Sequence, residues 1–213
     1  MRFPTNISIA LLLFESPGSE TTLLEMELKY RCADWAAVQQ RLVVYQPVYS
    51  APSRDVDHYF NAPDRDFAVT DEVVRLRRAG SRHVLTYKGP RHPTAVKTRT
   101  EIELPLADGA DVSADVSADA VRFLSGLGFR PIAVVSKVRI TASFHRNGFD
   151  IHVCFDDVGA IGKFVEVEIV STQDKADEAR KELAALSAEL QLNDEERRSY
   201  LRMLLETPPQ KKA

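Results

Sequence analysis

Charged and apolar residues alternate one by one along five stretches of this chain. The first runs from Leu24 to Arg31, with Glu25, Glu27 and Lys29 on one face and Met26, Leu28 and Tyr30 on the other. Successive side chains of an extended chain point to opposite faces, so a period of two predicts a strand with one charged side. The pattern returns with Arg75 and Arg77 in Val73–Arg78, and with Arg99, Glu101 and Glu103 against Thr100, Ile102 and Leu104. It returns again where Lys137 and Arg139 alternate with Val138 and Ile140, and where Glu166 and Glu168 alternate with Val165, Val167 and Ile169. Val56–Phe60, Val84–Lys88 and Phe149–Phe155 bring the expectation to about eight strands. Asn147-Gly148 predicts a hairpin, because Asn-Gly suits the positive φ angles of a type I′ turn. Helical spacing covers residues 33–45, 117–127 before Gly128, and about 173–205. The last is expected to break near Asn193, which with Glu196 forms a capping box. The class this predicts is α+β, a mostly antiparallel sheet with helices packed outside it.

Composition narrows the function classes. The 213 residues are 44% hydrophobic, enough for one main domain with a packed core and too much for wholesale disorder. A net charge of −3 argues against coating nucleic acid, and no apolar run approaches the roughly 20 residues that cross a bilayer. Cys32 and Cys154 are too few for a disulfide scaffold, so a soluble, reducing, cytoplasmic setting is expected. Residues 1–23 include the apolar run Ile7–Phe14 but no small-x-small cleavage site, and are expected to be a flexible arm or an upstream extension from a misjudged start codon. The domain proper is placed at 24–206, with 207–213 as a frayed tail.

Any one of the charged faces fits an ordinary solvated sheet. Together they fit something else, because they consist almost solely of Glu, Lys and Arg. If the sheet closes into a barrel, helices can cover an apolar outside while the charges line the inside. Confined charges need partners or a ligand. The basic set is Lys29, Arg75, Arg77, Lys88, Arg99, Lys137 and Arg139; the acidic set, equal in number, is Glu25, Glu27, Glu101, Glu103, Asp156, Glu166 and Glu168. Carboxylates suit Mg²⁺ or Mn²⁺, and Arg and Lys suit phosphate oxygens, so a chamber with both suits a metal-bound polyphosphate.

Glu25-x-Glu27-x-Lys29 resembles the ExExK signature of the CYTH superfamily, the triphosphate tunnel metalloenzymes. The ordered series strengthens the likeness: Asp57-His-Tyr-Phe60, Arg75-Leu-Arg77, Leu85-Thr-Tyr-Lys88-Gly-Pro90, Arg99-x-Glu101-x-Glu103, Lys137-x-Arg139, Asp156, Gly162 to Glu168, and Arg198-Ser-Tyr200. Glu25 to Arg31 and the closing Arg-Ser-Tyr look most like the class IV adenylyl cyclase branch. The resemblance implies an eight-stranded closed antiparallel barrel that binds a nucleoside triphosphate or other triphosphate with Mg²⁺ or Mn²⁺, and often a homodimer. It implies metal-site roles for Glu25, Glu27, Glu101, Asp156, Glu166 and Glu168. It implies phosphate-gripping, catalytic roles for Lys29, Arg75, Arg77, Lys88, Lys137 and Arg139, while Arg99 either grips phosphate or orients carboxylates. Members of the branch convert ATP to cyclic AMP and pyrophosphate. The alternatives are a metal-dependent tunnel triphosphatase, which would use water as nucleophile on inorganic, thiamine or nucleoside triphosphate, and a module that only binds such ligands.

Other residues are set aside. The five histidines, His58, His83, His92, His145 and His152, are scattered without an i,i+4 metal pair. Cys154 is assigned to an apolar strand face and to the core. Tyr200 either packs the last helix on the barrel or plugs one tunnel end. Asn61–Phe67 and Lys88–Pro93 read as solvated turns or as lids over a mouth, the first with Arg65 near the ligand.

Overall fold

The computed structural model describes residues 23–91, 93, 97–107 and 115–207. The proposed arm and tail therefore lie almost wholly outside the described residues, as does His92. Among the described residues nine strands form one sheet: β1 (Leu23–Arg31), β2 (Val48–Tyr49), β3 (Ser53–Asn61), β4 (Val73–Ala79), β5 (Arg82–Lys88), β6 (Lys97–Ala107), β7 (Arg130–Arg146), β8 (Phe149–Asp157) and β9 (Lys163–Thr172). All pairings are antiparallel, in the order β7-β3-β4-β5-β6-β1-β9-β8, and β8 pairs back onto β7. Eight strands thus close a barrel, and the expected α+β barrel with helices outside is what forms. The two-residue β2 continues the line of β3 along the far end of β7, at Val48–Ser143 and Tyr49–Ala142.

Closure fixes which face is inside. Met26, Leu28 and Tyr30 of β1, Ile151, Val153 and Phe155 of β8, and Val165, Val167 and Ile169 of β9 point outward into the largest core. That core is roofed by α1 (Trp35–Leu42), through Val38 and Leu42, and by α4 (Ala176–Glu189), through Ala179, Leu183 and Leu186. A second outer core sets α3 (Asp115–Gly126) on β3 and β4, where Leu124 meets Phe60, Val74 and Leu76. These two apolar cores therefore lie outside the barrel wall, and the alternate positions turn inward, where a smaller cluster of Tyr59, Val135, Phe164, Tyr200 and Met203 packs beside the charges.

The ends of these elements follow local chemistry. Asp34 caps α1, its side chain accepting from Ala37 N at 3.1 Å. Asn147 and Gly148 both have positive φ, 49° and 83°, as the Asn-Gly signal requires. Helix α3 closes in a Schellman motif, with Phe129 N bonding to Leu124 O and Gly128 N to Ser125 O. The bulge between β3 and β7 falls at Pro131, which has no N–H for the ladder; Tyr59 pairs with Ala133 and Phe60 with Pro131, leaving Ile132 as the extra residue.

Three expectations are corrected. The expected helix 33–45 is α1 followed by a 3₁₀ turn at Val43–Tyr45. The one-turn helix α2 (Phe67–Thr70), capped by Asp66, ends the loop that follows Asn61. The last helical region does break near Asn193, but Asn193 caps nothing. Helix α5 (Tyr200–Glu206) begins at Ser199, whose hydroxyl accepts from Arg202 N at 3.1 Å, and Glu196 instead binds Arg31 and Arg198. A run of salt bridges there outweighs the sequence signal for a box.

Gly128 sits at φ 89°, and a Cβ there would lie 3.1 Å from Pro63 Cβ. Gly128→Ala is expected to lower unfolding stability by about 1–2 kcal/mol, read by urea denaturation, with the ligand-binding properties of the barrel unchanged.

A charged tunnel through the barrel

The barrel encloses a cavity of about 910 Å³ lined by residues from seven of the eight barrel strands, and it opens between α2 and α5. All seven basic residues of the sequence reading line it, with Glu25, Glu27, Glu101, Glu103, Glu166 and Glu168. Asp156 lies beneath that lining, fully buried. A smaller cavity of about 300 Å³ at the other mouth shares Arg77, Glu103 and Arg139 with the first.

Within the tunnel the charges sort into pairs. Arg77 makes a two-pronged contact with Asp57, Nε to Oδ1 and Nη2 to Oδ2, both 2.7 Å. Arg139 does the same with Asp156, at 2.7 and 2.6 Å, and also reaches Glu166 and, at 3.5 Å, Glu168. Asp156 further accepts from Lys137 Nζ at 2.8 Å and from the Tyr200 hydroxyl at 2.9 Å. Burial alone would push these two carboxyls up. The adjoining guanidiniums override it and hold Asp57 and Asp156 well below the usual carboxylate range.

Arg75 is held differently. It is 8% exposed, yet its contacts are long: 3.8 Å to Asp57, 3.8 Å to Glu101 and 3.4 Å to Thr86. Among the described residues its buried Nε has no hydrogen-bond partner, and the guanidinium also faces the Tyr59 hydroxyl. A buried guanidinium left under-satisfied on the cavity wall is a strong donor set for an anion.

The opposite wall is acid-rich. Glu27 of β1 stands directly across from Glu168 of β9, and carboxylate oxygens of Glu25, Glu27 and Glu168 lie within 4.8 Å of one another. Like charges directly opposed across a ladder are unfavourable. Burial, with Glu166, Glu25 and Glu27 near by, pushes the Glu168 carboxyl up against the opposing pull of Arg139. Burial also works to raise Glu25, but Lys88 Nζ, 2.5 Å from it and 3.0 Å from Glu101, holds it down. Three hard oxygen donors converging in a partly buried wall are the chemistry that Mg²⁺ or Mn²⁺ takes, so the residues present fit such an ion. No histidine belongs to that group.

The predicted metal set is therefore split. Glu25, Glu27 and Glu168 come together; Glu101 sits by Lys88 and Arg75; Asp156 and Glu166 are engaged by Lys137, Arg139 and Lys29, the last at 3.8 Å from Glu166. Cys154 is on the inward face, not the apolar one. It is buried between Thr141 at 3.6 Å and Glu168 at 3.8 Å, where burial pushes its thiol up. Val153 and Phe155 take the apolar face and Cys154 alternates with them. Arg65 binds Glu72, itself a lining residue, with two contacts of 2.8 Å, while its neighbours Asp66, Phe67 and Ala68 line the opening. In the second candidate lid Arg91 is clamped on Asp71 and also lines the opening.

Two buried carboxylates escaped the sequence reading as site residues, Asp55 and Asp57. They alternate in phase with the other charged strands, but the expected strand began at Val56, so the pair was cut in two.

Comparison with known proteins agrees with this geometry. Residues 23–200 match the family model described as the CYTH domain. A Methanocaldococcus jannaschii protein, named as a candidate adenylate cyclase, is 29% identical over 184 residues, covering 85% of this chain and 98% of the relative. The solved structure of PH1819 from Pyrococcus horikoshii OT3 is 33% identical, with a TM-score of 0.71 over 85% of this chain and 98% of that one. A Hippeastrum protein described as a candidate adenylyl cyclase with a dominant triphosphatase activity shares the fold, with a TM-score of 0.59 at 16% identity over 86% and 95% of the two chains. Among the described residues no helix is long and apolar enough to cross a membrane.

Asp57→Asn leaves two buried guanidiniums short of charge and is expected to destabilise the fold by about 3 kcal/mol at pH 7. Because the folded carboxyl titrates below its unfolded value, its contribution is complete above the unfolded pKa and is lost as pH falls toward the folded one. The stability gap between wild type and variant, measured by urea unfolding, should thus narrow by about 1 kcal/mol between pH 5 and pH 3.

Proposed function

The chain belongs to the CYTH domain family, and from that premise we propose that it is a divalent-metal-dependent adenylyl cyclase, converting ATP to cyclic AMP and pyrophosphate inside the tunnel. The observation that carries this reading is the pairing, across one cavity, of the under-satisfied Arg75 guanidinium with the convergent carboxylates Glu25, Glu27 and Glu168. A cavity that needed only to hold an anion would have no use for the acids. The name of the Methanocaldococcus jannaschii relative supports the same reaction.

In this reading Arg75 takes phosphate oxygens directly, with Lys29, Lys88, Lys137 and Arg99 around it. Arg77 and Arg139 are already locked on buried carboxylates and act as fixed positive charge rather than as mobile clamps. Glu25, Glu27 and Glu168 would hold Mg²⁺ or Mn²⁺, which supplies Lewis acidity at phosphate oxygen and at the ribose hydroxyl. The ribose 3′ oxygen forms a bond to the α-phosphorus, the bond from that phosphorus to the α–β bridging oxygen breaks, and pyrophosphate leaves with the electron pair. The 3′ proton passes to water, and no separate base is assigned. The basic wall lowers the barrier because its charges are in place before charge develops on the leaving group. Phe67, Ala68, Ile132, Leu201 and Leu205 line the same cavity at its opening, where an organic head group, unlike inorganic triphosphate, has apolar surface to rest on.

The test is product analysis of purified protein with ATP, and separately with inorganic triphosphate, in Mg²⁺ or Mn²⁺. Cyclic AMP with matching pyrophosphate is expected. Orthophosphate with no cyclic nucleotide would overturn the cyclase reading and make water the nucleophile, as in a tunnel triphosphatase. Arg75→Ala is expected to lower kcat/KM about 100-fold. The double variant Glu25→Gln, Glu27→Gln should lose metal-dependent turnover, and if turnover continued without metal, the acids would have no catalytic part.

A further inference from the structure

Among the side chains that the last helix presents to the tunnel, Tyr200 is the one that contacts its buried charged wall. Residues 194–196 run along the end of β1, with Arg31 N bonding to Asp194 O and Glu196 N to Lys29 O, and the chain then turns at Ser199 into α5. Tyr200 is the first residue of that helix and is 6% exposed. Its ring packs edge-on against Phe164, with centroids 5.1 Å apart. The Lys29 ammonium lies 4.3 Å from the ring centre and the Lys137 ammonium 5.3 Å from it. Its hydroxyl donates to Asp156, the carboxylate that also holds Lys137 and Arg139. One side chain therefore touches two tunnel lysines and the carboxylate that anchors a third cation.

We propose that Tyr200 is a positioning residue for the triphosphate site: its ring fixes where the Lys29 and Lys137 ammoniums stand, and its hydroxyl fixes Asp156, so that α5 is a working part of the tunnel rather than a cover on it. The inference rests on the tunnel being the triphosphate site. An aromatic face attracts an ammonium most strongly where water is excluded, and at a buried position it narrows the arc a long lysine side chain can sweep. Removing the ring would let Lys29 close on Glu166, 3.8 Å away, and would let Lys137 swing about its bond to Asp156, so that both withdraw charge from a ligand. Removing only the hydroxyl takes one donor of several from Asp156 and leaves the ring beneath the lysines.

A purely structural Tyr200 would act only by holding α5 down, and Met203 provides the comparison. It is buried on the same helix in the same cluster as Tyr59, Val135 and Phe164, but it is not among the residues lining the cavity. The measurement is calorimetric binding of α,β-methylene ATP, whose α–β bridge cannot break, with Mn²⁺ to the full chain, alongside melting temperatures. Tyr200→Leu is expected to weaken binding at least about tenfold more than Met203→Ala does, although both loosen α5. Tyr200→Phe should recover most of the loss, staying within about fivefold of wild type. If Tyr200→Leu does not fold, Tyr200→Met, closer in volume, takes its place. Equal losses for the Leu (or Met) variant and Met203→Ala, or no recovery by Phe, overturn the proposal. Failure of the wild-type protein to bind either this nucleotide or inorganic triphosphate with Mn²⁺ overturns instead the triphosphate reading on which it rests.

Discussion

A charge enclosed in a closed barrel must meet an opposite charge, and most of this structure follows from that constraint. Turning Glu, Lys, Arg and Asp inward puts them where water solvates them poorly, and an unpaired ion there is strongly unfavourable. The structure answers with two buried carboxylates that each gather cations: Asp57 with Arg75 and Arg77, and Asp156 with Lys137, Arg139 and a tyrosine hydroxyl. These hubs decide which cations are committed and which retain donor capacity for a ligand. The same inversion forces the apolar side chains outward, so the helices are required as the other half of the hydrophobic core.

The pairing is uneven around the wall, and the unevenness gives the tunnel its chemical direction. On the side of β3, β4 and β7, carboxylates and guanidiniums meet at hydrogen-bond distance. On the side of β1 and β9, the register sets Glu27 opposite Glu168 with Glu25 beside them. Moving either strand by one residue would send the whole charged set to the outer face, so the apolar packing that fixes register under α4 also fixes the acid cluster. The site and the core are specified by the same alternation, read from its two sides.

Most of the barrel was legible because period two is a strong local signal over five to nine residues. All eight wall strands and the Asn147-Gly148 turn correspond to features that can be read along the chain. Elements too short to carry a period were not legible: β2 has two residues and α2 one turn. Cys154 was misplaced because a small, apolar-seeming residue among Ile151, Val153 and Phe155 hides the phase that Asp156 reveals. Asp55 falls outside a strand boundary drawn at Val56, so the in-phase pair Asp55 and Asp57 does not show as a charged face. The Asn193–Glu196 spacing fits a capping box, yet a local pattern cannot reveal that Arg31, more than 160 residues earlier, claims the same carboxylate. The residues that line the cavity were legible as a population, but who binds whom depends on closure of the sheet.

Pairing of this kind also bears on rate. In water, a cation stabilises a developing negative charge only after solvent and side chain have reorganised. Arg77 and Arg139 have made that adjustment during folding, because each is gripped at two points by a carboxylate that packing holds still. Arg75 lacks such a grip, and in the proposed reaction its under-satisfied donors would follow charge as it moves toward the leaving group. A site built only of locked pairs would be rigid but already neutralised, and one built only of loosely held cations would collapse onto its own acids. Keeping both kinds on one wall leaves a net attraction for an anion while most of the buried charge stays balanced, which is a condition that a tunnel lined by both acids and bases must meet in order to bind one.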